Sequence, residues 1–366
     1  MECRIQNSKT KLSCSRPFNT ISTTHDGFYQ CCQISNKSPH RVDEISPEEF
    51  FDSEYVKSVR NDLALNGEPT ELIKYNCNYC LSLEKHGLKS FARAPSYDEL
   101  TPKIKNLVIN HNGNKCNLKC LGCSPERSSN YGPLIDNWEN NNFKIEKLTE
   151  LRDISLLGGE PFLMDSTKII LDSMPENCKI SITTNGLIFP KYLSNYDTKR
   201  FHILISLDGI FELDDYIRTG SNFKRKIRNI EKFMKTFQTV NFLCTFNLMN
   251  YKYLRDIVEF LKKEYDYEMN EVNRMLEPSF FDAVNFPIAF KKKYNLNFDT
   301  NFLEKEPNEN DFMKGLSVLK KYDKTQKNKF YDFYPEFKSL YDDAVEIDYT
   351  SMFNDSPIPP LVIYRT

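Results

Sequence analysis

The sequence predicts an α/β protein built on a parallel sheet, with a small α+β domain ahead of it and a helical extension behind. Three observations predict this. From residue 105 onward, short apolar runs alternate with amphipathic stretches of helical period, the pattern of strand–helix–strand units. Residues 1–100 instead carry a hairpin signal and spaced cysteines. The 366 residues are enough for a large core and more than one domain. The expected domains are 1–100, 101–280 and 281–366.

Composition narrows the function. The 49 basic against 51 acidic residues leave a net charge of −2, so bulk electrostatics favour neither nucleic acid nor a membrane surface. No apolar run reaches the length of a membrane span. The opening MECRIQNSKTKLSC has no apolar signal-peptide core. The expectation is a soluble cytoplasmic protein. In that compartment eleven cysteines point to metal rather than disulfides.

The elements follow in order. Asp26-Gly27 between Asn19-Thr-Ile-Ser-Thr and Phe28-Tyr-Gln reads as a β-hairpin. Cys14 flanks one end and Cys31 and Cys32 the other, so the hairpin brings both flanks to one place. A charged helix is expected over 46–65, then the knuckle Cys77-Asn-Tyr-Cys80. Residues 95–103, with two prolines, read as a linker. Strands are expected at 105–111, 153–157, 179–183, 201–206, 240–245 and 272–276. Helices are expected at 143–151, 164–173, 222–237 and 252–264. The helix at 222–237 shows Ile227, Ile230, Met234 and Phe237 on one face, and that at 252–264 aligns Leu254, Ile257, Val258 and Leu261. A further amphipathic helix at 311–321 uses Phe312, Leu316 and Leu319, and a Tyr/Phe-rich stretch follows at 330–341. The tail Ser356-Pro-Ile-Pro-Pro360 cannot be helical through its prolines.

Chemistry concentrates at Cys116-Asn-Leu-Lys-Cys120-Leu-Gly-Cys123, just after the strand at 105–111. An iron–sulfur cube takes one thiolate per iron. Three local thiolates therefore leave one iron open to a small molecule. Zinc is the alternative, but structural zinc prefers four ligands, usually as two close pairs. Cys14, Cys32, Cys77 and Cys80 form a complete four-thiolate set, for which zinc is again the alternative. Cys31 competes with Cys32 as the ligand or packs as a small hydrophobe. Cys3, Cys178 and Cys244, and His25, His40, His86 and His202, show no ligand spacing.

The cysteine loop is followed in order by Gly158-Gly159-Glu160-Pro161, Thr183-Thr184-Asn185-Gly186, Ser206-Leu207-Asp208-Gly209 and a late strand ending near Asn247. Together these resemble the radical SAM superfamily, whose signature is C-x3-C-x2-C, over residues 101–280. The resemblance implies a partial six-stranded (β/α) barrel with the site at the C-terminal ends of its strands. It also implies a [4Fe–4S] cluster on Cys116, Cys120 and Cys123, with S-adenosylmethionine on the open iron. The methionine amino group would meet Gly158, Gly159 and Glu160. Thr184 and Asn185 would lie at the ribose or substrate. Ser206 and Arg218 would take the methionine carboxylate, although Arg218 equally suits a salt bridge to Asp214 or Asp215. Asn247 or Asn250 would touch the adenine side. The N-terminal set, with Gly27 before Cys32 and Glu84, Gly87, Ser90 and Arg93 after the knuckle, is similar to SPASM/twitch domains. Such domains hold an auxiliary [4Fe–4S] cluster, a second one here.

What this implies is an enzyme that reductively cleaves S-adenosylmethionine to a 5′-deoxyadenosyl radical, which abstracts hydrogen from a substrate. The expected substrate is a peptide or protein, and the alternative a carbohydrate, nucleotide or other small molecule. The electron would come from a reductant such as flavodoxin or ferredoxin. A non-catalytic iron–sulfur or redox-sensing protein is the reading from another class, and polar methyl transfer a third.

Overall fold

The computed structural model describes residues 14–24, 27–31, 40–64, 69–85, 101–109, 113–135, 145–269, 272–275, 278–294 and 305–353. Cys3, His25, Asp26, Cys32, His86, Gly87, Ser90, Arg93, His111 and the proline tail at 356–360 lie outside the described residues. The strands are β1 (Thr20–Thr23), β2 (Phe28–Tyr29), β3 (Asn106–Ile109), β4 (Lys119–Cys120), β5 (Asp153–Leu156), β6 (Lys179–Thr184), β7 (Phe201–Ser206), β8 (Arg218–Thr219), β9 (Thr239–Leu243), β10 (Thr245–Phe246) and β11 (Asn273–Arg274). The fold is mixed α/β on parallel strands. Contacts divide the chain into two compact units, Met1–Gly113 with Asp136–Gly158 and Asp165–Ser181, and Asn114–Ile135 with Gly159–Met164 and Ile182–Thr366. The chain passes from the first to the second within β6.

In the first unit the strands run β2-β1-β3-β5-β6. β1 and β2 form the expected antiparallel hairpin. β1 also pairs in parallel with β3, Ile21 opposite Leu107, and β3 with β5, Leu107 opposite Ile154. The division therefore does not fall at residue 100, because the first strand of the expected N-terminal domain shares a sheet with the first strand of the core. β1 is buried along its whole length, which a strand paired on both edges and covered on both faces requires. The expected helix at 46–65 is two helices, Pro47–Phe51 and Glu54–Ala64. Ser46 and Glu49 form a capping box at the first. The helix Glu71–Lys85 contains the Cys77–Cys80 knuckle, with a kink at Cys77 (φ −116°, ψ 15°).

In the second unit β6, β7 and β9 are neighbours, with β7 and β9 parallel and Ile203 opposite Val240. β10 and β11 form a parallel pair, and β4 and β8 an antiparallel one. The helix Phe223–Thr236 buries only part of the expected face: Ile230 is buried and Ile227 half-buried, with Phe237 buried just beyond the helix end. Phe223, Lys226, Asn229, Ile230 and Phe233 are inward, while Met234 is exposed. The inward turn follows Lys226, whose ammonium is held by Asp214. The helix Leu254–Tyr265 buries Leu254, Ile257 and Leu261 as expected. Where a helix was expected at 143–151, a short 3-10 turn, Ile145–Lys147, is described.

The C-terminal extension is helical, led by Glu309–Tyr322, with Phe312, Leu316 and Leu319 buried. At its end the Asp323 carboxylate accepts from the Tyr216 and Tyr341 hydroxyls, each at 2.8 Å, and from the Phe330 N–H at 2.7 Å. No described helix is long and apolar enough to cross a membrane.

Candidate functional site

The cysteine loop is built from its backbone outward. Leu118 and Leu121 are buried and anchor the loop between its cysteines. Gly122 takes φ +80°, and a Cβ there would lie 2.4 Å from the Met275 methyl. No other residue fits without displacing that side chain. Fully buried Asn114 pins the loop ends, donating to the Pro125 and Pro133 carbonyls at 2.7 Å and accepting from the Ile135 N–H at 2.7 Å.

Each cysteine carbonyl has a side-chain donor. Asn130 Nδ2 donates to Cys116 O at 2.9 Å, Tyr131 Oη to Cys120 O at 2.8 Å, and Tyr349 Oη to Cys123 O at 3.0 Å. The Tyr131 and Tyr349 rings meet edge to face at 5.7 Å. These three residues were missed at the sequence level. Asn130 and Tyr131 sit close enough in sequence to have been suspected, whereas Tyr349 carries no local signal.

The three thiols are half-buried. Burial pushes Cys116 up to about 11 and Cys120 and Cys123 up to about 12, and the three raise one another further. Arg218 acts in the opposite sense on all three. Its proximity is fixed by the β4–β8 ladder, which sets Cys120 opposite Arg218, and its Nη1 lies 3.9 Å from Cys120 Sγ.

Glu160 stands beside this loop, fully buried. Gly158 has φ 128°. A Cβ on Gly159 would lie 2.3 Å from the Lys115 carbonyl oxygen, so a glycine is needed for the chain to reach the loop. The Glu160 N–H donates to the same carbonyl at 2.8 Å. Its side chain accepts three hydrogen bonds, Oε1 from Thr184 Oγ1 at 2.7 Å and Phe162 N at 3.2 Å, and Oε2 from Asn185 N at 2.8 Å, which leaves Oε2 able to accept once more. Asn185 Nδ2 reaches on to Asn117 Oδ1 at 2.8 Å. Glu160, Thr184, Asn185 and the cysteine loop thus form one connected group. Burial pushes the Glu160 carboxyl from its ordinary 4.5 up to about 7, against the pull of its hydrogen bonds and Arg218. A raised folded-state value means that its contribution to stability is present at acid pH and is lost as pH rises from 4.5 through about 7.

Arg218 pairs with Asp208 at 2.6 Å, not with Asp214 or Asp215. Burial works most strongly against its charge, but Asp208, Cys120 and Asp214 together more than offset this and hold it above its ordinary value. Asp208 Oδ1 accepts from Thr245 N at 2.7 Å. Asn250 Nδ2 donates to Asp208 O at 3.0 Å, and Asn250 Oδ1 accepts from Asn247 N at 2.9 Å. Both asparagines are fully buried and brace this turn. Asp214 instead pairs with Lys226 at 2.5 Å. Ser206 ends β7 half-buried, its carbonyl 3.5 Å from Lys226 Nζ.

In the first unit Cys14 and Cys77 pack against one apolar cluster, Val59, Leu63 and Ile73. Cys31 and Cys80 are half-buried. Cys178 and Cys244 are buried. Among the described residues no three His, Cys, Asp or Glu side chains are grouped to hold a single metal ion. The chemistry at the loop fits a cluster. Three half-buried thiols that raise one another need a cation to ionise, a cluster takes one per iron, and the buried Arg218 Nε has no hydrogen-bond partner among the described residues.

Residues 112–261, less than half of the chain, match the family model described as the Radical SAM superfamily. A probable GTP 3′,8-cyclase of Archaeoglobus fulgidus is 30% identical over 129 residues, which are 32% of this chain and 41% of that protein. The chain thus spans less than half the length of that curated relative. Among solved structures, native anSMEcpe with bound AdoMet and Cp18Cys peptide is 21% identical, with 66% of this chain and 62% of that one covered and a TM-score of 0.39. Streptococcus suis SuiB bound to S-adenosylmethionine is 17% identical, with 78% and 64% covered and a TM-score of 0.37.

Proposed function

We propose, from the premise that residues 112–261 match the radical SAM superfamily, that this chain is a radical S-adenosylmethionine enzyme. The observation that carries the reading is the cysteine loop with Arg218 Nη1 3.9 Å from Cys120 Sγ and the Glu160 N–H on the Lys115 carbonyl at 2.8 Å. When bound, a [4Fe–4S] cluster supplies one electron to the sulfonium, giving methionine and a 5′-deoxyadenosyl radical that takes hydrogen from substrate. Cys116, Cys120 and Cys123 hold it. Glu160, with Gly158 and Gly159, receives the methionine ammonium. Arg218 and Ser206 receive its carboxylate, and Thr184 and Asn185 keep Glu160 in place. The core is read as a partial six-stranded (β/α) barrel. An auxiliary [4Fe–4S] cluster on Cys14, Cys32, Cys77 and Cys80, in a twitch-like setting, is supported by the shared packing of Cys14 and Cys77.

The substrate is read as a peptide or protein, with flavodoxin or ferredoxin as electron donor. A nucleotide is the second reading, favoured by the 30% identity to the probable GTP cyclase. The test is chromatography of nucleoside products from anaerobic, iron-loaded protein with and without dithionite. 5′-Deoxyadenosine that depends on dithionite is expected. S-Adenosylhomocysteine formed without reductant would make the chain a polar methyltransferase, and neither product would make it a binding protein.

Glu160→Gln is expected to weaken S-adenosylmethionine binding at least about tenfold, the worth of about 1.4 kcal/mol at a charged hydrogen bond. In the parent, affinity should rise with pH through about 7, as the carboxyl ionises. In the variant that dependence should vanish. Equilibrium dialysis at pH 6 and pH 8 checks both, and equal affinities in parent and variant would return Glu160 to a purely structural part.

A further inference from the structure

The helix Glu212–Ile217 ends on Arg218, whose N–H closes its last turn on Asp214 O. The carbonyls at such an end have no partner in their own helix, and here each is taken from a different side. Leu121 N, from the cysteine loop, donates to Ile217 O at 2.8 Å, and Ser221 N to Arg218 O at 2.8 Å. Tyr216 O accepts from Tyr322 Oη at 2.6 Å. The Tyr322 hydroxyl also bonds Thr219 Oγ1, so one side chain of the C-terminal extension holds the chain on both sides of Arg218. Its ring meets that of Tyr216 edge to face at 5.6 Å, and the next residue, Asp323, takes the Tyr216 hydroxyl. β8 is only two residues long, and its ladder sets Cys120 opposite Arg218 and Lys119 opposite Thr219. An isolated pair of strands that short does not hold itself. Tyr322 lies beyond residues 112–261, so this grip is outside the region that matches the family model.

We infer that Tyr322 is the positioning residue of Arg218: its hydroxyl, by gripping Tyr216 O and Thr219 Oγ1, sets the guanidinium where it meets the carboxylate of S-adenosylmethionine. This rests on the reading of Arg218 as the partner of that carboxylate. The guanidinium has little freedom to follow a displaced backbone. Its Nη2 lies 2.6 Å from Asp208 and its Nη1 3.9 Å from Cys120 Sγ, and its buried Nε has no hydrogen-bond partner among the described residues. A planar fork engages a carboxylate in a fixed orientation, so a small shift of the backbone at Arg218 weakens that contact and no other part of the cosubstrate's binding.

The experiment is equilibrium dialysis of the full chain, anaerobically iron-loaded, against S-adenosylmethionine and against its decarboxylated analogue. Tyr322→Phe, which removes only the hydroxyl, should weaken S-adenosylmethionine binding about fivefold, the worth of one hydrogen bond, and leave the affinity for the analogue unchanged. In an Arg218→Gln background the same substitution should change neither affinity, because the two residues act on one contact. Thr219→Val should show the same selectivity, and it carries the test if Tyr322→Phe does not fold. Tyr341→Phe removes a different hydroxyl of the extension, one bonded to Asp323, and should leave both affinities at the parent level. Equal S-adenosylmethionine affinity in the parent and Tyr322→Phe overturns the inference and leaves the radical SAM reading intact. Equal weakening of both ligands, or a matching fall in Tyr341→Phe, makes Tyr322 a packing residue and also overturns it. A parent that binds neither ligand overturns both readings.

Discussion

Replacing Cys116, Cys120 and Cys123 together by Ala is expected to reduce 5′-deoxyadenosine to the level given by dithionite alone. Each thiol is assigned to one iron, so no two of the three suffice. The substitution is structurally mild. The loop is held by Leu118, Leu121, Asn114 and the donors to the cysteine carbonyls, none of which uses a sulfur. Iron content should fall from about eight to about four per chain, one four-iron cluster being lost. Replacing Cys14, Cys32, Cys77 and Cys80 should cause the complementary loss. 5′-Deoxyadenosine that persists in the triple variant would remove the radical mechanism. Stoichiometric zinc without iron in the N-terminal set would replace the auxiliary cluster by a zinc site.

Asp214→Ala should cost about 3–5 kcal/mol of stability, the usual penalty for stripping the partner from a buried charge. Both side chains of the Asp214–Lys226 pair are fully buried, 2.5 Å apart, and Ser221 Oγ also donates to the same oxygen at 2.9 Å. Burial already pulls Lys226 below its ordinary value. Without Asp214 it must lose its proton or open the helix Phe223–Thr236. The defect should therefore shrink as pH rises, because neutral Lys226 needs no counter-charge. Replacing both partners, Asp214→Leu with Lys226→Met, should recover most of the loss. Guanidinium denaturation at pH 7 and pH 9 reads all of this. A single-variant loss below about 1 kcal/mol would mean that the pair is solvated, as surface pairs are.

The elements were legible where one face or one run decides them. The strands β6 and β7 read as continuous apolar or alternating runs, and the hairpin at β1 and β2 follows from Asp26-Gly27 in the sequence. The cysteine spacing pointed to the candidate site. What escaped depends on partners distant in sequence. The inward face of Phe223–Thr236 turns on Lys226, and nothing in its helical period reveals that Asp214 waits to receive it. Arg218 was weighed against Asp214 and Asp215, its sequence neighbours, but pairs with Asp208 across a turn. The Cys77–Cys80 knuckle lies within a helix, where residues three apart already share a face, so two ligands need no turn to meet. The β1–β3 pairing was invisible because parallel partners need no short connection.

The hydrogen bond from Tyr349 to the Cys123 carbonyl spans 226 positions of sequence. During synthesis at about 5–20 residues per second, Tyr349 emerges about 11–45 s after Cys123. For that interval the Cys123 carbonyl lacks the hydroxyl donor that the finished chain supplies, so the last support of the loop is also the last to be made.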